Sequence, residues 1–189
     1  IPQDGIDQDC DGEDDPYAVS DLDEGDLIIT EVMANSDAVD DAYGGWFEVY
    51  NASGGDVDLE DLVVSDDGED SFTVSGELLV EDGDYVVFGV DDDDTVNGDV
   101  TVDYEYGSYM ALGNGSDELI LSYSTTTFDD VAWDDTDFPD DAGYSMTLHE
   151  DYFDVDDNDE GASWCSAEST FGDGDYGTPG DDNDACYTY

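Results

Sequence analysis

This chain carries 57 Asp and Glu side chains and not one Lys or Arg. Whatever it folds into must hold together without internal salt bridges, apart from a weak one at its only histidine, His149. Two carboxylates ~8 Å apart in water repel by roughly 0.5 kcal/mol before salt screening. Summed over many pairs, this repulsion works against any compact state, so something outside the chain has to neutralise it. Divalent cations, high salt and low pH are the candidates. Calcium (Ca2+, several ions) suits best, because oxygen-only ligands match a hard cation.

The same imbalance excludes partners. Nucleic acid is ruled out, because displacing counterions from phosphate takes Lys and Arg. Anionic membrane surfaces are ruled out on the same ground unless calcium bridges the two. Direct membrane insertion is not expected, since no run approaches ~20 apolar residues. The chain opens Ile-Pro rather than Met, as expected for a processed or excerpted sequence.

Apolar residues make up 38% of the chain, with 13 Tyr, 7 Phe and 3 Trp, enough for a core. They fall in short runs broken by Asn, Asp, Gly and Ser, the pattern of strands and turns. Strands are predicted at 26–33, 46–51, 57–59, 62–65, 71–75, 78–81, 84–90, 99–106, 109–112, 118–123, 128–133 and 144–149. Strict alternation is clearest in Val100-Thr-Val102-Asp-Tyr104-Glu-Tyr106, which marks one buried and one wet face. No stretch has a convincing helical period, and strands recur every ~8–12 residues, as in an antiparallel sandwich. Turn chemistry separates them at Gly44-Gly45, Gly54-Gly55, Asp82-Gly83, Asn97-Gly98 and Asn114-Gly115. The expected division is an Asp-rich leader (1–25), a sandwich (26–150) and an acidic, Gly-rich tail (151–189).

Two acidic segments have the spacing of metal loops. In the leader, Asp7, Asp9 and Asp11 alternate and are followed by Gly12, Glu13 and Asp14. Alternation points the carboxylates at one ion, and Gly allows a sharp turn. The twelfth loop position would be Ala18 and no helix follows, so this is not an EF-hand. It resembles the short Asp-x-Asp-Cys-Asp-Gly metal-binding repeat of bacterial surface proteins. The second segment is Asp154, Asp156, Asn158 and Glu160, followed by Gly161. Other clusters are Asp37/Asp40/Asp41, Asp91–Asp94, Asp134/Asp135/Asp137 and Asp181/Asp182/Asp184. At this density of acid, each also reads as a solvated turn.

Three stretches carry a family resemblance: Ile-Thr-Glu-Val-Met-Ala-Asn (29–35), Trp-Phe-Glu-Val-Tyr-Asn-Ala-Ser (46–53) and Val-Asp-Leu-Glu-Asp-Leu (57–62). Over about residues 25–150 the chain resembles the lamin tail domain in its bacterial, secreted form. The resemblance implies an all-β, immunoglobulin-like antiparallel β-sandwich, with Glu31 and Glu48 at positions where the family places Glu. Nuclear and DNA roles of animal members do not transfer, because the basic surface they rest on is absent. The tail resembles the end of bacterial modules, in which two cysteines bracket a Gly-Thr-Pro-Gly turn, here residues 177–180. That implies a disulfide between Cys165 and Cys186, which leaves Cys10 for another subunit. The alternative pairing, Cys10 with Cys186, leaves Cys165 free.

Little in the sequence points to catalysis, and no enzyme is expected. Paired carboxylates serve glycosidases, but at this density such pairs arise by chance. One His with no supporting motif cannot be built into a Ser-His-Asp arrangement, and no phosphate-binding Gly-rich loop occurs. Two sequons, Asn51-Ala-Ser53 and Asn114-Gly-Ser116, are present. The expectation is a secreted, extracellular or cell-surface calcium-binding structural protein. It would be a subunit of a filament or surface assembly, joined to copies of itself by cations, added strands and aromatic contacts. The alternative is a monomeric adhesion or targeting module of a larger surface protein or secreted hydrolase, with an extracellular ligand or surface as its partner.

Overall fold

Turn residues cut the chain into short strands. In the computed structural model, which describes Pro2, Cys10, residues 15–68 and residues 70–186, the strands are β1 (Tyr17–Ala18), β2 (Leu27–Met33), β3 (Trp46–Asn51), β4 (Val57–Asp58), β5 (Val63–Ser65), β6 (Ser71–Thr73) and β7 (Leu79–Val80). They continue with β8 (Tyr85–Gly89), β9 (Tyr104–Glu105), β10 (Ser116–Tyr123), β11 (Thr126–Asp134), β12 (Met146–Leu148) and β13 (Trp164–Ser166). The α-helix described is a single turn, α1 (Asp41–Gly44), capped by Asp40, whose carboxylate accepts the Ala42 N–H.

Six strands form one sheet in the order β13-β12-β2-β3-β8-β9, and four form a second in the order β11-β10-β5-β6. A small third sheet, β1-β4-β7, completes the set. The two larger sheets share one core. Phe47, Val49 and Phe88 of the first face Phe72, Leu119, Leu121, Phe128 and Val131 of the second. Aromatic rings fasten the middle: Phe47 stacks on Phe88 with centroids 4.9 Å apart, and Phe72 stacks on Tyr106 at 5.4 Å. The fold is therefore an all-β, immunoglobulin-like sandwich.

The predicted strands appear with edges shifted by at most two residues, save two. Residues 99–106 form a ladder only at Tyr104–Glu105. The alternation there is real, because Val100 and Tyr106 are buried while Thr101, Asp103 and Glu105 are exposed. At one point, however, a side chain replaces the ladder: the Asp103 carboxylate accepts the Val87 N–H at 2.8 Å. Residues 109–112 pair with nothing, and the chain there turns as a short 3-10 helix at Gly107–Tyr109. Strands also begin earlier and end later than expected. β1 pairs parallel with β4 inside the predicted leader, and β13 pairs with β12 inside the predicted tail.

β2 is buried along its whole length, and β3 along all but Tyr50. Inner residues such as Val32, Phe47 and Val49 meet the core. Glu31, Met33, Trp46 and Glu48 lie on the opposite face, where Glu31 is the cross-strand partner of Glu48 and Met33 that of Trp46. A register irregularity between Ile29 and Glu31 in β2 sets this phase.

Phe47 is fully buried between Phe88 and Tyr106. Phe47→Ala is expected to cost about 3–5 kcal/mol, read as a lowered midpoint in denaturant unfolding.

Candidate functional site: a buried carboxylate pair under the C-terminal strap

The outer face of β2 and β3 is covered by the chain after β13. Residues 167–186 run across it as a strap, closed at both ends by the Cys165–Cys186 disulfide (S–S 2.08 Å). Phe171 meets Trp46 edge to face at 5.7 Å. Gly177 sits so close that a Cβ there would lie 3.0 Å from Trp46 and 3.1 Å from Glu31 Oε1, so no larger residue fits without displacing one of them.

Beneath the strap, both glutamates are fully buried. Each is held by N–H and O–H donors, since the chain has no Lys or Arg to offer. Glu31 accepts the Thr178 N–H at 3.0 Å, the Thr178 hydroxyl at 2.9 Å and the Ser145 hydroxyl. Glu48 accepts the Gly180 N–H at 2.7 Å and the Thr30 hydroxyl at 2.8 Å. Pro179, which has no N–H, stands between the two donating residues. Asn183 adds a third anchor. Its amide donates to the carbonyls of Thr30 and Leu148, both at 2.8 Å, close to where the β2–β12 ladder stops. Asp184 then folds the strap on itself by accepting the Ser169 hydroxyl at 2.7 Å and the Glu168 N–H at 2.6 Å.

Burial makes these carboxylates weak acids. Loss of water pushes the Glu31 carboxyl up to about 7, against the pull of its hydrogen bonds to Ser145 and Thr178. The Glu48 carboxyl is raised well above its ordinary value, first by burial and then by the neighbouring Glu31. Asp184 and Asp181 add smaller repulsions from the strap. A third buried acid, Asp129 of β11, is pushed up to about 7 by burial. Its Oδ2 accepts the Ile29 N–H at 2.7 Å and the Asn158 amide at 2.8 Å, tying the two main sheets together at the β2 irregularity.

Of the predicted metal ligands, Asp154, Asp156, Asn158 and Glu160 are among the described residues. Asp7, Asp9, Asp11, Glu13 and Asp14 lie outside the described residues. Asp154, Asp156 and Glu160 are exposed on a surface loop, and Asp154 accepts the Asp156 N–H at 3.0 Å, closing a turn. Asn158 does not join them. It is fully buried, its side-chain amide donates to Asp129, and its backbone carbonyl accepts the Trp164 indole N–H at 2.7 Å. The alternation that suggested a loop facing one ion instead sends Asn158 into the core.

Asp66, Asp117 and Glu118 bring carboxylate oxygens within 4.8 Å of one another. No local spacing signals this group, because β5 and β10 pair only in the fold. Asn51 of the first sequon is buried, with its amide donating to the carbonyls of Gly55, Val80 and Glu81, so it serves as a turn lock. His149 caps a 3-10 turn. Its Nδ1 accepts the Asp151 N–H at 3.1 Å.

Residues 21–135, more than half of the chain, match the Lamin Tail Domain family. The chain belongs to the lamin tail domain family. No match was found among curated proteins. This lamin tail domain keeps Glu31 and Glu48 on adjacent central strands, and the Gly-Thr-Pro-Gly turn, which lies outside the matched residues, closes over them. The family is one of non-enzymatic, immunoglobulin-like structural domains.

Two outcomes test the latch. A buried acid with a raised folded value stabilises fully below its unfolded value near 4.5, and that stability is lost as pH rises through the folded value. Between pH 5.5 and 8 the melting temperature should therefore fall through Glu31, Glu48 and Asp129. Glu48→Gln, which imitates the protonated acid, should flatten that fall, as differential scanning fluorimetry will read. Cys165→Ser should cost roughly 3 kcal/mol by releasing a loop of ~20 residues, with protease cleavage appearing first in the strap.

Proposed function

We propose that this lamin tail domain is a secreted structural subunit of an extracellular filament or surface layer, built with calcium and copies of itself. The observation that carries the reading is the charge arrangement. Among the described residues the one acid–base contact is His149–Asp151 at 3.9 Å, and the 57 acidic side chains of the sequence have no Lys or Arg to pair with. Two such surfaces repel until cations stand between them. Calcium takes 6–8 oxygen ligands and bridges carboxylates from separate chains. The Asp66, Asp117 and Glu118 group and the exposed Asp154, Asp156 and Glu160 loop offer such oxygens. The Asp7–Asp14 segment remains a further proposed calcium loop. A rigid sandwich with its tail disulfide-bonded suits an oxidising, extracellular setting.

Sedimentation in low salt tests this. With millimolar calcium the chain should sediment as an assembly, and excess chelator should return it to a monomer. An unchanged monomer under both conditions would leave the second reading, an adhesion module of a larger surface protein, which the sheet edges left unpaired among the described residues favour.

A further inference from the structure

The side of the sandwich away from the strap opens into a groove between its two main sheets. Two clefts, of about 470 and 390 Å³, lie end to end there and share Glu105. One wall is β6, the last strand of the four-stranded sheet, and the other is β9 with the 3-10 turn after it. Apolar side chains lie beneath the groove, Met110 and Val90 under one cleft and Phe72 and Tyr106 under the other. Tyr109 stands 70% exposed at the rim and Tyr43 50% exposed at the far end.

The β6 wall has hydrogen-bonding capacity to spare. The Asp70 carbonyl accepts the Asp66 N–H, and Val74 donates to Leu62 and accepts from Asp61, so the even-numbered residues face β5. Alternation then turns the N–H and C=O groups of Ser71 and Thr73 outward, toward the groove. The Tyr104 hydroxyl takes one of them, donating to the Thr73 carbonyl at 3.3 Å, and it also accepts the Ser75 N–H at 3.2 Å. The described residues give Ser71 no partner on that side. The rim is of one sign: Asp41, Asp70, Asp91 and Glu105 line the longer cleft.

A bare strand edge above an aromatic floor is the setting in which an extended peptide adds as a strand. Charge chooses the peptide. Another copy of this chain brings 57 more carboxylates and no cationic side chain except a protonated His149. A segment with Lys or Arg at alternate positions meets the acidic rim, and its cations also find the exposed faces of Tyr109 and Tyr43. We propose that this groove binds an extended, basic segment of another polypeptide by strand addition to β6. The inference goes beyond the assembly reading and does not need calcium.

The test is a titration with a fluorescent Lys-Val-Lys-Tyr-Lys-Val peptide in chelator and about 0.15 M salt, where charges more than ~8 Å apart are largely screened. Saturable one-to-one binding is expected. Removing groove charge with Asp70→Asn and Glu105→Gln, or the outward edge donor with Ser71→Pro, should weaken it about tenfold. Asp82→Asn with Asp84→Asn removes as much charge from the exposed loop before β8, at the end of that strand away from the Gly89–Glu105 pairing, and should leave affinity within twofold. A peptide N-methylated at alternate residues, tested on the unaltered protein, should also lose binding. Equal losses from groove and loop variants, unsaturable binding, or indifference to N-methylation would overturn the proposal. So would self-association of the chain in chelator that disappears in Tyr109→Ala, because a second copy would then be the occupant.

Discussion

A folded chain without lysine or arginine has to satisfy its carboxylates with N–H and O–H donors, and much of this architecture follows from that. On the surface the solution is local and repeated. Asp40, Asp58, Asp66, Asp91, Asp93, Asp134 and Asp154 each accept the N–H two residues ahead and close a turn. Asp93 is held below its ordinary value first by the Thr95 hydroxyl and then by the Thr95 N–H, and Asp134 first by the Thr136 N–H. The acidity that repels at long range therefore organises loops at short range.

Inside, the same rule has long-range reach. Asp175 is buried and accepts from Ser36 and Ala38, so the strap also holds the loop after β2. Asp129 joins the two sheets, and Glu31 and Glu48 bind the strap. None of these has a counter-charge. Each keeps its place because several donors converge on it, and burying a carboxylate without them costs several kcal/mol. Such groups contribute less to net stability than to geometry: one position of the strap satisfies them all.

Much of the sandwich was legible because its strands follow a period of two and its turns carry Gly, Asn and Asp. The failures are physical. Val100–Tyr106 alternates perfectly yet pairs for only two residues, since a pattern reports which side is buried and says nothing about what occupies the edge. Alternation also places Glu31 and Glu48 on a wet face. They are dry because a segment about 150 residues further on folds back over them, and only the family resemblance hinted at their importance. Asn158 misled for a related reason: alternate polar residues on a loop look alike whether they face an ion or the core. Asp66 with Asp117 and Glu118 had no sequence signal, because strand pairing brings them together.

The disulfide across the base of the strap has a kinetic side. A strap that leaves the glutamates remains tethered at both Cys165 and Cys186, beside the sheet it left. Its return is then an intramolecular encounter at high effective concentration, independent of how dilute the protein is. Openings of this face should thus be brief, and the two-sided burial of β2 and β3 is renewed each time the loop falls back.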